Sequence, residues 1–296
     1  MPAVDMPAAE VDLDEASVRR LLVEQFPDLA ERPLAPLASG WDNAVFRLGD
    51  DLVARLPRRS AAAALVEHEQ RWLPELAPRL PLPVPVPLRA GRPSAALGYP
   101  WSWSVCASLA GEVAGRRPPD DLGDAASVLG AFVRALHEPA PADAPANPYR
   151  GVPLVQRDPM LREWVERLGT EVDGAAVVAR WDELVSTPPW TGPALWLHGD
   201  LHPANLLVAE GRLSAVIDFG DLTAGDPASD LFTAWMLFPP DVRPVFRAAV
   251  GDVDDDTWRR AEGWALLMAV AYLANSADNP LMSGIGRRAL AELLGG

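Results

Sequence analysis

The stretch LWLHGDLHPANLLV, residues 195–208, decides how the rest of the chain is read, because it supports two chemistries. His198, Asp200 and His202 stand at alternate positions, a spacing at which imidazoles and a carboxylate can hold a metal ion. Asp200 and Asn205 stand five apart, and at that spacing an acid can take a proton while an amide oxygen holds magnesium.

The surrounding sequence arbitrates between them. A zinc site needs another strong ligand, and the remaining histidines, His68 and His137, lie in no second ligand motif. Asp218, by contrast, follows at the end of the apolar run SAVID and precedes Phe219 and Gly220, so Asp, Asn and Asp-Phe-Gly occur in the order of a phosphoryl-transfer site. Such transfer asks little covalent chemistry of a protein; it needs an acceptor proton handled and anionic oxygens neutralised and aligned. Asp200 is therefore expected to accept or orient the proton of an acceptor hydroxyl. Asn205 and Asp218 are expected to supply the hard oxygens that Mg²⁺ prefers. His198 is expected to fix the turn by bonding to backbone.

Composition narrows the partners. Cys106 is the only cysteine, which excludes an intramolecular disulfide and a thiolate-ligated metal. All 26 cationic residues are arginine, and the net charge of −15 gives no basic face for nucleic acid or an anionic membrane. The first residues lack the basic and apolar segments of a signal peptide, and the longest apolar run, WALLMAVAYLA at 264–274, is too short to cross a bilayer. The chain reads as soluble and cytoplasmic.

The elements change character along the chain. Apolar spacing predicts a leading helix at about 13–26, and AVFRL and LVARL around Gly49-Asp50-Asp51 predict a hairpin. A helix over 61–76 and a β-prone run at 96–109 follow. Beyond Gly111 helices are expected near 120–137, 158–169, 172–186, 227–238, 241–250, 256–275 and 281–294, with short strands set among them at 194–218. The Pro/Ala stretch EPAPADAPANP at 138–148 reads as a flexible or extended linker.

Taken together, LHGDLHPANLLV, VIDFGDLTAGDPASDL and GWDNAVFRLGDDLVARLPRR resemble the aminoglycoside phosphotransferase family, over nearly the whole chain from about residue 12. That resemblance implies an α+β, two-lobed, protein-kinase-like fold. A small antiparallel sheet would form a nucleotide-binding lobe over 1–108, and a mainly helical lobe over 109–296 would carry catalysis and the acceptor. It implies transfer of the γ-phosphoryl of ATP or GTP, with Mg²⁺, to a hydroxyl of a small molecule such as an aminoglycoside-like or other antibiotic. Other acceptors among such enzymes are macrolides and small metabolites.

Carried over residue by residue, the resemblance makes Asp200 the catalytic base and Asn205 and Asp218 the metal ligands. Ser39 and Gly40 fall in the turn that covers the nucleotide, and Ala107 and Leu109 would offer backbone groups to the base. Asp226 and Asp230 match an acidic pair after the magnesium loop and are read as structural. Arg55 stands where most relatives have a phosphate-binding lysine. Arginine keeps the charge but is longer and planar, so a weakly active nucleotide-binding protein is the alternative reading. Arg55 needs a helix glutamate as partner. Glu67 and Glu69 compete on opposite faces, and Glu69 is chosen because Trp72, three residues on, would pack the same face inward.

Asp252, Asp254, Asp255, Asp256, Glu262 and Asp278 are candidates to line an acidic pocket for a cationic acceptor, although acids at a helix start also suit its dipole. Trp258 and Trp264 would instead suit an apolar or ring-shaped one.

Overall fold

A computed structural model describes residues 8–40 and 42–295, without the side chain of Ser39. The chain opens with α1 (Glu15–Gln25), whose Asp14 cap accepts from the Ser17 N–H at 2.7 Å. Strands β1 (Leu34–Ser39), β2 (Asn43–Leu48) and β3 (Leu52–Pro57) form a meander, with Gly49 at φ +68° supplying the left-handed turn between β2 and β3. Helix α2 (Ala63–Leu76) crosses to β4 (Pro87–Gly91) and β5 (Trp103–Ala107). The five strands make one antiparallel sheet in the order β1-β2-β3-β5-β4.

Of the β-prone run 96–109 only Trp103–Ala107 is strand. Residues 95–98 form a turn closed by the Ser94–Tyr99 bridge, because Gly98 sits at φ +68° and Pro100 lacks an N–H for a ladder.

The second half holds β6 (Glu112–Val113), α3 (Leu122–Leu136), α4 (Asp158–Leu168), α5 (Gly174–Val185), β7 (Leu195–Leu197), β8 (Leu206–Ala209), β9 (Arg212–Val216) and β10 (Thr223–Gly225). Helices α6 (Ala228–Leu231), α7 (Thr233–Leu237), α8 (Arg243–Val250), α9 (Asp255–Asn275) and α10 (Pro280–Leu293) complete it. The architecture is the expected sheet lobe joined to a helical lobe. The helix expected over 227–238 is broken at Phe232 into α6 and α7.

Two apolar cores underlie the lobes. Val18, Leu21 and Leu22 of α1 pack with Phe46, Leu56, Trp103 and Val105 of the sheet. The larger core is built around α9, buried almost continuously from Ala261 to Leu273, with α4, α5, α6 and α10 packed on it. Trp72, Leu73 and Leu76 of α2 belong to this second core, although in sequence α2 lies between the sheet strands β3 and β4. Close packing makes small residues decisive where helices cross. A Cβ on Gly130 of α3 would stand 2.5 Å from the Ala249 Cβ of α8 and 2.9 Å from the Phe246 oxygen. Gly130→Ala is expected to push the two helices apart and cost about 1–3 kcal/mol in denaturant unfolding, despite the better helix propensity of alanine.

The stretch at 138–148 is extended, as its prolines dictate, but it is not a free linker. Pro139 bridges Leu195, the Ala140 N–H donates to Ala194 O, and the Pro145 carbonyl accepts from Thr223 Oγ1 at 2.9 Å. The segment is strapped across the β7/β10 pair, and this delivers residues 147–157 to the functional loops.

Candidate active site

The loop after β7 is held from behind. Asp230, fully buried at the C-terminal part of α6, accepts from the His198 N–H and the Gly199 N–H, both at 2.8 Å, and lies 3.2 Å from His137 Nε2. Gly199 has φ +85°, and a Cβ there would meet the Asp221 carbonyl at 2.3 Å, so only glycine fits. Both nitrogens of the buried His198 ring face backbone. Nε2 lies 3.0 Å from Ile217 O, and Nδ1 accepts from the Asp200 N–H at 3.2 Å. His198 thus ties the Asp200 loop to the strand that leads into Asp218. Among the described residues no three His, Cys, Asp or Glu side chains converge to hold a metal ion.

Asp200 therefore emerges with a fixed backbone, and its carboxylate has defined neighbours. His202 Nε2 lies 3.1 Å from Oδ2, and Arg150 Nη2 donates to Oδ1 at 3.2 Å. Burial raises the cost of the charge, but His202, and after it Arg150, outweigh that cost and hold the Asp200 carboxyl well below the usual range. The group is a carboxylate at neutral pH, able to accept a hydrogen bond from a hydroxyl.

Asn205 is buried and donates Nδ2 to the Asp200 carbonyl at 2.9 Å, which leaves its Oδ1 as an oxygen donor. The Asn205 carbonyl accepts from the Ile217 N–H at 2.9 Å, so the two loops are stitched together. Asp218 lies in the left-handed region, φ 64° and ψ 69°, a conformation that costs a non-glycine residue about 1–3 kcal/mol. Its carboxylate is more than half exposed and faces the sheet lobe, where Arg55 Nη2 is 3.6 Å away. One amide oxygen and one accessible carboxylate fit Mg²⁺, which keeps waters and takes its remaining oxygens from phosphates.

Arg55 projects from β3, opposite Val45 and Ser104. Its Nη1 bonds both oxygens of the buried Glu69 of α2, at 3.1 and 2.9 Å. Burial alone would favour loss of its proton, but Glu69 and Asp218 more than reverse this and raise the guanidinium above its ordinary value. Glu67, two residues earlier, faces away and accepts from Ser102 Oγ at 3.0 Å. Arg55 therefore links the sheet, α2 and the Asp218 loop through one guanidinium.

Gly40 closes a tight turn, donating to Asn43 O at 2.9 Å and accepting from Arg58 Nη1 at 2.8 Å. The Ser39 hydroxyl and the neighbouring Trp41 lie outside the described residues. Ala107 ends β5 opposite Leu52, and Leu109 follows where the chain leaves the sheet after the Ser108 N–H to Asp51 O bond. No hydrogen bond or ion pair among the described residues joins Gly40, Ala107 or Leu109 to Asp200, Asn205 or Asp218.

Three residues around Asp200 and Asp221 are not apparent from the sequence. Arg150 reaches Asp221 Oδ2 at 3.6 Å as well as Asp200, and Asn147 Nδ2 donates to Asp221 Oδ1 at 2.7 Å. The Tyr272 hydroxyl is buried without a hydrogen-bond partner among the described residues, its ring 5.5 Å from that of His202. Burial, reinforced by the Asp200 charge, raises its pKa well above the ordinary phenol value.

The acidic cluster expected to line an acceptor pocket does not stand beside Asp200. Asp255 begins α9 and Tyr272, which packs on His202, lies near its end, so at 1.5 Å per residue about 25 Å of helix separates Asp255, and about 15 Å Glu262, from the Tyr272 end beside the Asp200 loop. Asp254 is spent as the cap of α9, accepting from the Thr257 N–H at 2.7 Å, while Asp255 pairs with Arg247 and Glu262 with Arg180. Trp258 and Trp264 are both buried in the core. Asp278, near the start of α10, is the one acid of the group at the Tyr272 end of α9.

Comparison with known proteins follows the same lines. The model of the phosphotransferase enzyme family matches residues 33–264. No curated protein matches the chain. Among solved structures, the GDP and kanamycin complex of APH(2")-IIia is 22% identical, covering 94% of this chain and 98% of that one, with a TM-score of 0.73. Macrolide 2'-phosphotransferase MphH from Brachybacterium faecium is 24% identical over 94% and 98% of the two chains, at 0.62. The streptomycin-ATP complex of APH(2")-IIa is 17% identical over 93% and 95%, at 0.61. These likenesses show a common fold.

Proposed function

This chain belongs to the phosphotransferase enzyme family, and from that premise we propose that it moves the γ-phosphoryl group of ATP or GTP to a hydroxyl of a small molecule. The observation that carries the reading is Arg55, bonded to Glu69 and 3.6 Å from Asp218, which puts a fixed cation beside an accessible carboxylate between the two lobes. Phosphoryl transfer needs that pairing of a phosphate-binding cation with a metal-binding acid.

In this reading residues 1–108 hold the nucleotide, with Gly40 and Ser39 over the phosphates and Ala107 and Leu109 beside the base. Residues 109–296 hold the acceptor. Asp200 takes or orients the proton of the acceptor hydroxyl, and His202 and Arg150 keep that carboxylate ionised and oriented. Asn205 and Asp218 would hold Mg²⁺, which when bound neutralises the phosphate oxygens. The neighbours solved with aminoglycosides, and the macrolide enzyme, make antibiotics the first acceptors to screen. The cytoplasm is the proposed place of action. Among the described residues no helix is long and apolar enough to cross a membrane, and the single cysteine is buried and unpaired.

The test is transfer of labelled γ-phosphate from ATP and from GTP, with Mg²⁺, to a panel of hydroxyl compounds, alongside an active homologue. Absence of transfer to every acceptor while the homologue works overturns the reading. Arg55→Gln removes one charge-assisted phosphate contact and is expected to weaken nucleotide binding about 10- to 100-fold. Arg55→Lys, which keeps the charge, is expected to lose less, because Glu69 retains a cationic partner. Equal nucleotide affinity in wild type and Arg55→Gln would remove Arg55 from the site.

A further inference from the structure

Most buried arginines of this chain have a counter-ion. Arg55 has Glu69 and Asp218, Arg260 has Asp226, and Arg150 has Asp200 and Asp221. Arg157 has none among the described residues, although it is only 6% exposed. Its Nη2 meets the Met160 sulfur at 2.8 Å, a weak acceptor, and its guanidinium carbon lies 5.2 Å from the Tyr149 ring centre. Among the described residues its Nε is buried with no hydrogen-bond partner, and the same holds for Nε of Arg150. With 41 acidic residues against 26 arginines, shortage of carboxylates is not the reason. A buried cation without a partner is costly, and proteins rarely keep one.

The position of this cation is informative. Arg150 and Arg157 flank the segment GVPLVQ, whose approach is fixed by Asn147 on Asp221 and by Arg150 on Asp200. Tyr149, half exposed, stands over Arg157 at the surface. Arg150 is close enough for its charge to act on Arg157. Burial first, and that like charge second, pull the Arg157 guanidinium below its ordinary value. Arg150 thus stands beside the proposed base, and Arg157 lies behind it under Tyr149, the residue next to Arg150 in the chain, each with an Nε that has no partner among the described residues. The planar guanidinium fork matches carboxylate and phosphate oxygens, and it repels ammonium groups.

We infer that Arg157, with Arg150, forms an anion subsite next to Asp200, and that the acceptor is a hydroxyl compound bearing a carboxylate or phosphate group rather than a polycation. The inference rests on the phosphotransferase reading for the meaning of the site and narrows its acceptor. The anionic group sits on Arg157 and turns the acceptor hydroxyl toward Asp200. Arg157 is thereby a specificity-determining residue, acting on acceptor affinity rather than on nucleotide affinity.

The experiment uses the full chain saturated with Mg²⁺ and a non-hydrolysable analogue of the preferred nucleotide, which keeps the donor site occupied. Inorganic phosphate and malonate are then titrated calorimetrically at constant ionic strength. Wild type is expected to bind at least one of the two, and which one it binds separates a phosphate-bearing acceptor from a carboxylate-bearing one. Arg157→Met is expected to weaken that binding at least tenfold while leaving nucleotide affinity and the melting temperature undiminished, since an uncompensated charge is replaced by an apolar side chain. Arg157→Lys is expected to retain part of the binding.

Absence of binding of both anions to wild type overturns the inference, as does equal binding by Arg157→Met. So does a melting temperature several degrees lower in Arg157→Met, which would make Arg157 a structural cation. Transfer to a polycationic acceptor with kcat/KM unchanged in Arg157→Met overturns the subsite and leaves the phosphotransferase reading standing. Anion binding that depends on Arg157, in a protein that transfers phosphate to nothing, does the reverse.

Discussion

Asp200→Asn is expected to lower the turnover of phosphoryl transfer by about 10²–10⁴-fold, the usual contribution of a positioned general base, the role proposed for Asp200. The expectation follows from how completely the carboxylate is oriented. His202 addresses Oδ2, Arg150 addresses Oδ1, and the main chain is fixed by His198 and Asp230. Asparagine keeps the size and can still accept from Arg150, so the fold and the nucleotide affinity are expected to stay at wild-type values. Single-turnover transfer and nucleotide binding, measured on the same preparation, separate the two effects. Retention of more than a tenth of the rate would show that Asp200 neither accepts nor orients the acceptor proton.

Asp230→Ala is expected to be the most damaging substitution for stability. Asp230 touches no proposed substrate, yet its carboxylate satisfies two buried N–H groups at 2.8 Å and has His137 at 3.2 Å. Alanine leaves both donors unpaired, at about 1–3 kcal/mol each, in addition to the cavity. Unfolding in denaturant should report a loss of about 3–6 kcal/mol on those same grounds. Activity should fall as well, because Gly199 and Asp200 lose their anchor and a 1 Å displacement can cost about 10²-fold. Asp230→Asn, which keeps one acceptor oxygen, should fall between alanine and wild type. An Asp230→Ala protein as stable as wild type would mean that water replaces both bonds.

Much of the fold is legible in the residues, and the places where it is not have physical causes. The 3.6-residue spacing locates α3, α4, α5, α8, α9 and α10 to within a few residues, because each buries one long apolar face in a common core. Aromatic and β-branched content misleads at 96–99, where Gly98 and Pro100 take the chain into a turn. Proline and alanine suggest slack at 138–148, since composition carries no trace of the tertiary bonds to Ala194 and Thr223 that tighten it.

The same divide runs through the candidate site. Asp200, Asn205 and Asp218 are singled out in the sequence by the order and spacing that loop chemistry imposes, and they remain the proposed site. The convergence of Glu69 on Arg55 is readable from helical geometry, with Trp72 marking the inward face. Arg150, Asn147 and Tyr272 come from a strap and from the far end of a long helix, and no spacing announces them. The one available signal is the polar NPYRG between prolines, too short to carry a pattern. The acids before α9 are readable as residues but misplaced as a pocket, because helix length sets where each end of α9 lies.

Helix α2 has two masters. Its Glu69 holds an arginine of the small sheet, while Trp72, Leu73 and Leu76 of the same helix are seated in the large helical core. The anchor of the proposed phosphate-binding cation therefore draws its rigidity from the lobe opposite the one that carries that cation. A lesion deep among the helices, far from any nucleotide, will loosen Glu69 before it disturbs a single strand around Arg55. If Arg55 holds the donor as proposed, donor affinity is expected to report on the integrity of the helical half of the molecule.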